Sequence, residues 1–406
     1  MTDAAADDRA APFRFEYDPA ALRYGPNCVA DLGSEVAAHD GSRALVVTGS
    51  TVGETAAVMD PIEEGLGDRL ADVFAGTTPA KRLGTAIDAL AAFRESDADA
   101  IVSVGGGSSL DVAKVLAVLV ATERDPEAVG AELVETGTLS VPDTELPPIV
   151  AVPTTLAGAD LTMVAGVTAD PGTCPVESAV SGGISDPKLM PAAVCYDPEL
   201  VATTPRSVLA GSAMNGFDKG IETLYARNAT PVTDATAMRG LSLLREGLLA
   251  FGDGEETDWV YQTLTRGLVL VQYGISRAEG TTLSLIHSFG HGLTRTYEMQ
   301  QGAAHAVVAP HALDYLFDRV DGRRDLLADA FGTADTEDPA AAVVEAVANV
   351  AAALSLPTRL RDVDGPSPEE FPAVAEAVLS DSFMANAPPG LEPTREDIES
   401  VLDAAW

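Results

Sequence analysis

Residues 101–114 read IVSVGGGSSLDVAK. An apolar run, with Val102 and Val104 on either side of Ser103, stops at Gly105, Gly106 and Gly107. Ser108, Ser109 and Asp111 follow, and then the helical run VAKVLAVLVA. The pattern predicts a strand, a turn that only glycine can make, and a helix start. Backbone N–H groups at such a start, unshielded by side chains, form a site for phosphate oxygens. The competing reading is a tight strand-to-helix turn that holds no ligand. The spacing is not GxGxxG, because Leu110 stands where the last glycine belongs, and no Gly-Lys-Ser/Thr follows to make a P-loop.

The flanking segments repeat the alternation. RALVVT at 43–48 predicts a buried strand ending at Gly49 and Ser50, and 51–66 predicts a helix. A weaker strand at 72–75 precedes an amphipathic helix at 85–94. PIVAV at 148–152 is another buried strand and runs into PTTLAGADLT. This order argues for a parallel sheet with crossover helices, where ligands bind at the carboxyl ends of the strands. Gly49, Ser50, the triple glycine, Ser108, Asp111, Thr154, Thr155 and Thr162 are the candidate cofactor-binding residues. The opening segment FRFEYDPAALRYGPNCVADLG predicts a strand, a turn and a short helix. Residues 122–147 read as an irregular acidic excursion. A loop-rich connection punctuated by Pro187, Pro191, Pro198 and Pro205 is the candidate domain junction. Beyond it the pattern turns helical, at 207–225, 233–250, 258–275, 283–297, 340–354 and 372–379. The expected fold class is α/β, with a parallel-sheet nucleotide-binding domain over 1–205 and an all-helical catalytic domain over 206–406.

The 406 residues suit two domains, and 46% hydrophobic content is ample for a core. Sixty-two acidic residues face 25 basic ones, a net charge of -37. Such a surface repels nucleic acid and anionic lipid, and it matches the solvated acidic surfaces of salt-adapted organisms. Lysine is confined to Lys81, Lys114, Lys188 and Lys219, so each is a candidate for being held by a site. Cys28, Cys174 and Cys195 have no metal-ligand spacing and suit a reducing cytoplasm. The acidic start MTDAAADDRA predicts no signal peptide, and no apolar run approaches the roughly 20 residues of a membrane span.

Four of the five histidines, His287, His291, His305 and His311, lie within one short stretch. His287 and His291 are i and i+4 on a predicted helix and project from one face. Such a pair can ligate a metal or supply a general acid, or it can be hydrogen-bonded in a structural role. The segment MNGFDKGIETLYA sets Asn215 and Lys219 on one helix face, with Glu222 a turn further on. Lys219 is a site residue or a solvated cation paired with Glu222.

GGGSSLDVAK, PTT with its glycine, CYDPEL, the helix ending in GIE and the paired-histidine helix occur in the order seen in iron-containing alcohol dehydrogenases. The chain resembles that superfamily over about residues 15–320. PTTLAGADLT, DPKLMPAAVCYDPEL and HAVVAPHAL are most similar to its maleylacetate reductase branch. The resemblance implies an N-terminal domain binding NAD(P), a C-terminal helical domain, an active site between them, and hydride transfer between a nicotinamide and an alcohol or carbonyl carbon. It also implies an assembly of two or more identical subunits. The metal ligands of the superfamily fall here on Asn215, Lys219, His287 and Gln301. Only His287 is a good ligand, and a protonated Lys219 repels a cation. The expectation is therefore catalysis without a metal, with Lys219 in the place of the cation, His291 and His287 handling the proton, and Asn215 beside them. Where the superfamily has an Asp that favours NAD, this chain has Gly49, so NADP is favoured over NAD. Lys219 hints at an anionic substrate, an oxo acid such as maleylacetate. The alternatives are a metal-dependent dehydrogenase with unusual ligands, a dehydroquinate-synthase-like lyase, and a nucleotide-binding protein without activity.

Overall fold

A computed structural model describes residues 12–406 apart from Glu123, Pro175, Glu279 and Glu298. The acidic start of the chain therefore lies outside the described residues. Among those described, no helix is long and apolar enough to cross a membrane.

The chain divides into two compact units. One comprises Pro19–Ala213 and Gly254–Thr265. The other comprises the described residues up to Asp18, Met214–Asp253 and Arg266–Trp406.

The first unit is built on a six-stranded sheet. Its strands are β1 (Ala21–Tyr24), β2 (Ala44–Gly49), β3 (Leu70–Thr77), β4 (Ala100–Gly105), β5 (Ile149–Pro153) and β8 (Ala193–Tyr196). They run in the order β1-β8-β5-β4-β2-β3, and every pair is parallel. The central strands β4 and β5 are buried throughout, which is why they read as unbroken apolar runs and not as alternating ones. Register aligns their ends: Gly105 pairs with Pro153, and Val47 of β2 with Ser103. Helices α1 (Leu32–Ala38), α2 (Ala56–Leu66), α3 (Leu83–Glu95) and α4 (Gly107–Ala121) accompany the strands.

Helix α4 is buried on all sides from Ser109 to Leu119, Lys114 included. A buried ammonium is tolerable only when hydrogen-bonded. Lys114 Nζ donates to the carbonyls of Thr162 (2.7 Å) and Val164 (3.0 Å) and to Thr162 Oγ1 (3.0 Å).

Two segments differ from the sequence expectation. Residues 122–147 are not irregular throughout, because Pro126–Thr136 forms helix α5. Asp125 caps it by accepting the Glu127 N–H, Pro126 opens it, Gly137 closes it in the left-handed region, and Val129 and Leu133 bury its apolar stripe. The loop-rich connection carries strand structure as well. β6 (Val164–Ala169) and β7 (Val180–Ser185) pair antiparallel, and the four-residue β8 is completely buried between β1 and β5. Proline spacing hid β8, since four residues give too short a pattern to read.

The second unit is helical. Helices α6 (Arg206–Tyr225) and α8 (Asp258–Gln272) each run across the division, and α7 (Pro231–Gly252) lies between them in the chain. There follow α9 (Leu285–Thr294), α10 (Gln301–Arg319), α11 (Arg324–Ala330), α12 (Pro339–Ala353), α13 (Phe371–Ser380) and α14 (Arg395–Ala404). A two-residue ladder, Ser276–Arg277 against Gly280–Thr281, is a small exception to the expected all-helical character.

Candidate active site

In the sheet unit, the predicted cofactor residues gather at the carboxyl ends of adjacent strands. Gly49 ends β2, Gly105 ends β4, and Thr154 follows β5 and donates its N–H to the Gly105 carbonyl at 3.0 Å. Gly105 has φ +130°, a conformation side chains rarely adopt. A Cβ on Gly106 would come within 3.2 Å of Thr155 Cγ2, and one on Gly107 within 3.0 Å of Ala159. Gly106 caps α4 without a side-chain hydrogen bond, so no side-chain oxygen caps the first N–H groups of the helix. A cradle shaped by missing side chains at a helix start suits a pyrophosphate, and these residues fit a dinucleotide.

Ser50 is exposed beside Gly49, and Ser108 is half-buried. Ser109 is buried against Thr77, with Oγ atoms 2.7 Å apart. Asp111 pairs with Lys81 at 2.5 Å. The Thr162 hydroxyl is already engaged, donating to the Ala159 carbonyl (2.7 Å) and accepting from Lys114. Two of the scarce lysines are thus held by ties within the fold, where their rarity had suggested a ligand site. Lys188 also binds a carbonyl, that of Pro142. Three of the four make structural ties.

In the helical unit, α6 and α9 bring the second group together. Glu222 is fully buried and its carboxylate sits at the start of α9. Oε2 accepts the Ser284 N–H at 3.1 Å, and Oε1 accepts the His287 N–H at 3.0 Å. Ser284 offers α9 no side-chain cap, so Glu222 replaces it from another helix. The same carboxylate lies 2.5 Å from His287 Nδ1, and His287 Nε2 lies 3.1 Å from Asn215 Oδ1. Lys219, one turn from Asn215 on α6, is 6% exposed. Glu222 is therefore not the surface partner of a solvated Lys219; it belongs to His287.

Two residues outside the expected site complete the core of this cluster. Asp218 Oδ2 stands 3.1 Å from His305 Nδ1, both fully buried, and the His305 ring packs edge-on against His287 with centroids 4.5 Å apart. Gly290 makes room for it, since a Cβ there would lie 2.3 Å from His305 Nε2. His311, further along α10, is partly buried. His305 was visible as one of the clustered histidines. Asp218 is turned from the Lys219 direction on α6, and only the position of α10 gives it a partner.

Burial decides the charges. It pushes the Asp218 carboxyl well above the ordinary range, with Glu222 adding to the effect. Burial likewise raises Glu222 to about 7, although the N–H groups of His287 and Ser284 pull the other way. The imidazoles move oppositely. His287 falls well below its usual value through burial, then the charges of His305, Lys219 and His291. Burial lowers His305 to about 3. Below neutral pH the cluster therefore holds its protons on carboxyl groups beside neutral imidazoles.

His291 is set apart from its helical neighbour. Its Nδ1 lies 2.9 Å from Asp381 Oδ2, and Arg295 also reaches that carboxylate oxygen, at 3.0 Å. His287 and His291 thus serve different partners.

The donor set does not suit a metal ion. Asn215 Oδ1 is turned to His287 Nε2, the nitrogen that would ligate, and Lys219 supplies a cation at the next position. Gln301, the fourth position, opens α10 and offers a neutral amide. Among the described residues, no three His, Cys, Asp or Glu side chains form a group that could hold a metal ion.

A parallel α/β unit with a glycine cradle, joined to a helical unit with a buried proton-bearing cluster, defines an oxidoreductase of the dehydrogenase and reductase type acting on alcohols and carbonyls. The family description "Iron-containing alcohol dehydrogenase" matches residues 19–198, and the C-terminal description of the same family matches 209–406. The chain belongs to that family. It is 27% identical over 400 residues to maleylacetate reductase 1 of Cupriavidus pinatubonensis, covering 97% of each. It is also 27% identical over 385 residues to 1,3-propanediol dehydrogenase of Klebsiella pneumoniae, covering 90% of this chain and 92% of that one. Among solved structures, an iron-containing alcohol dehydrogenase from Corynebacterium glutamicum superposes with a TM-score of 0.76 at 25% identity, covering 97% of both chains.

Proposed function

We propose that the protein is an NADP(H)-preferring reductase of small anionic carbonyl compounds, oxo acids of the maleylacetate kind, working without a catalytic metal. The observation that carries this reading is Lys219, nearly buried, at a position where the resemblance implies a metal ligand. The similarity to maleylacetate reductases supports the substrate class.

When bound, the nicotinamide supplies the hydride to the carbonyl carbon or accepts it in reverse. The chain's own residues do the rest. Backbone N–H groups after Gly105, Gly106 and Gly107, with Ser108, Thr154 and Thr155, hold the pyrophosphate. Asp111 and Thr162 shape that cradle through Lys81 and Lys114. Gly49 and Ser50 present no carboxylate, so a 2'-phosphate meets no repulsion there. As hydride arrives, negative charge develops on the carbonyl oxygen, and the Lys219 ammonium stabilises it. His291 donates the proton that converts it to a hydroxyl. His287, held by Glu222 and Asn215, fixes the wall of the site beside them. The subunits assemble as a homodimer or larger oligomer, and the enzyme works in a salt-rich cytoplasm.

The test is cofactor oxidation in high salt over a panel of oxo acids and neutral aldehydes, with NADPH and NADH, with and without chelator, alongside elemental analysis. The expected result is turnover of oxo acids, faster with NADPH, indifferent to chelator and free of stoichiometric metal. Iron or zinc at one per chain, with activity lost on chelation, would favour the metal-dependent alternative. A silent panel would favour nucleotide binding without catalysis.

A further inference from the structure

We propose that Asp381 is the positioning residue for His291 and selects Nε2 as the nitrogen that gives up the proton. The proposal rests on the reading above in which His291 is the proton donor. Asp381 lies 90 residues downstream of His291, immediately after α13, and its side chain is 1% exposed. It is anchored independently of the imidazole, since its Oδ1 accepts the Phe383 N–H at 3.0 Å. Its Oδ2 lies 2.9 Å from His291 Nδ1. The Phe383 ring covers a face of the imidazole, with centroids 5.0 Å apart and planes 34° from parallel. Ring orientation and tether are therefore both fixed by one short turn of chain.

An ionised carboxylate only accepts hydrogen bonds. Burial by itself would raise the Asp381 pKa. The His291 hydrogen bond and charge, the Phe383 N–H and Arg295 outweigh burial and hold the carboxyl below its usual value. Arg295 can only donate, and Asp381 Oδ2, 3.0 Å away, accepts from it, so Nδ1 carries its hydrogen toward Asp381 and the exchangeable proton belongs to Nε2. In the reductive direction the Nε2–H bond breaks as the substrate O–H bond forms, and the electron pair of the N–H bond returns to Nε2. Nδ1–H stays with Asp381, and the carboxylate stabilises the imidazolium before transfer.

The charged and titratable groups bearing on this arrangement come from three helices besides the Asp381 turn. Arg295, the C-cap of α9, contacts Asp381 and lies 3.1 Å from His291 Nδ1 through its other terminal nitrogen. His287 on α9, Lys219 on α6 and His305 on α10 make up the rest of the cluster's basic groups. Among the described residues, Asp381 is the carboxylate in hydrogen-bond contact with His291.

The experiment compares wild type, Asp381→Asn and Asp381→Glu as full-length chains in high salt. Asp381→Asn is expected to lower kcat about 100-fold with KM little changed. Asp381→Glu should restore part of kcat. With only five histidines in the chain, 15N-histidine NMR resolves the tautomer directly, the His291 signal being assigned by its loss in His291→Asn. Wild type should show His291 with hydrogen on Nδ1 in its neutral form, and Asp381→Asn should shift the population toward hydrogen on Nε2. An Nε2–H tautomer in wild type would overturn the proposal. So would an Asp381→Asn variant that loses only thermal stability while its kcat and tautomer stay as in wild type. If no carbonyl substrate is turned over by wild type, the proposed reaction fails, and the tautomer spectra still decide the role of Asp381.

Discussion

The sheet unit and the helical unit build their candidate sites by opposite means. At the ends of β2, β4 and β5 the site is made by leaving side chains out, with Gly105, Gly106 and Gly107 exposing backbone at the start of α4. Between α6, α9 and α10 the site is made by packing titratable side chains in, with Asp218, Glu222, His287 and His305 all but removed from water. The first arrangement suits a ligand whose charge is already formed and needs only donors aimed at it. The second suits a charge that appears during reaction, where a low-dielectric setting magnifies a fixed ammonium and neutral partners avoid competing with it. The contrast also predicts different failures. Damage to the cradle should appear in cofactor affinity, and damage to the cluster in turnover or in the pH dependence of stability.

The largest expected effect lies in the cluster. Lys219→Ala should lower kcat about 1,000-fold while leaving the cofactor dissociation constant unchanged, a loss of about 4 kcal/mol in transition-state stabilisation. Stopped-flow turnover beside fluorescence titration of NADPH checks both halves. Unchanged turnover would remove Lys219 from the chemistry and with it half of the comparison.

Next is Glu222→Gln, which imitates the protonated carboxyl permanently. The raised pKa of Glu222 means its contribution to stability is fully present below the unfolded value of 4.5 and lost as pH rises through about 7. Wild type should therefore lose about 3 kcal/mol relative to the variant between those limits. Difference melting curves of the two proteins, in the same salt, cancel the common effect of the acidic surface. Parallel curves across this window would show that Glu222 is ionised when buried.

The smallest effect belongs to the cradle. Gly106→Val places a branched side chain against Thr155 at the start of α4, where a Cβ alone already comes within 3.2 Å. The cofactor dissociation constant should rise about 10-fold, roughly 1.4 kcal/mol, with kcat at saturating cofactor nearly kept. A loss in kcat with unchanged affinity would blur the division between the two sites.

Much of the sheet unit was legible because its signals are local. The strands β2, β4 and β5 announce themselves as apolar runs, and IVSVGGGSSLDVAK contains strand, turn and helix start within fourteen residues. Helix α5 escaped because its acidic composition masked a short apolar stripe closed by Asp125 and Gly137. Strand β8 escaped because its pairing with β1 and β5, across long stretches of chain, is what makes four residues a strand.

In the helical unit the residue types were legible and their partnerships were not. Asn215, Lys219, His287 and His291 stand out by spacing in a chain poor in lysine and histidine. That Glu222 caps α9 and grips His287, that Asp218 meets His305, and that Asp381 takes His291 are contacts between elements up to 90 residues apart. Sequence alone determined which chemical groups the chain has to spend and where the backbone must bend, because propensity and turn geometry act over a few residues. Tertiary packing decided which of those groups are buried together, and burial is what sets their charges and hence the chemistry available to them.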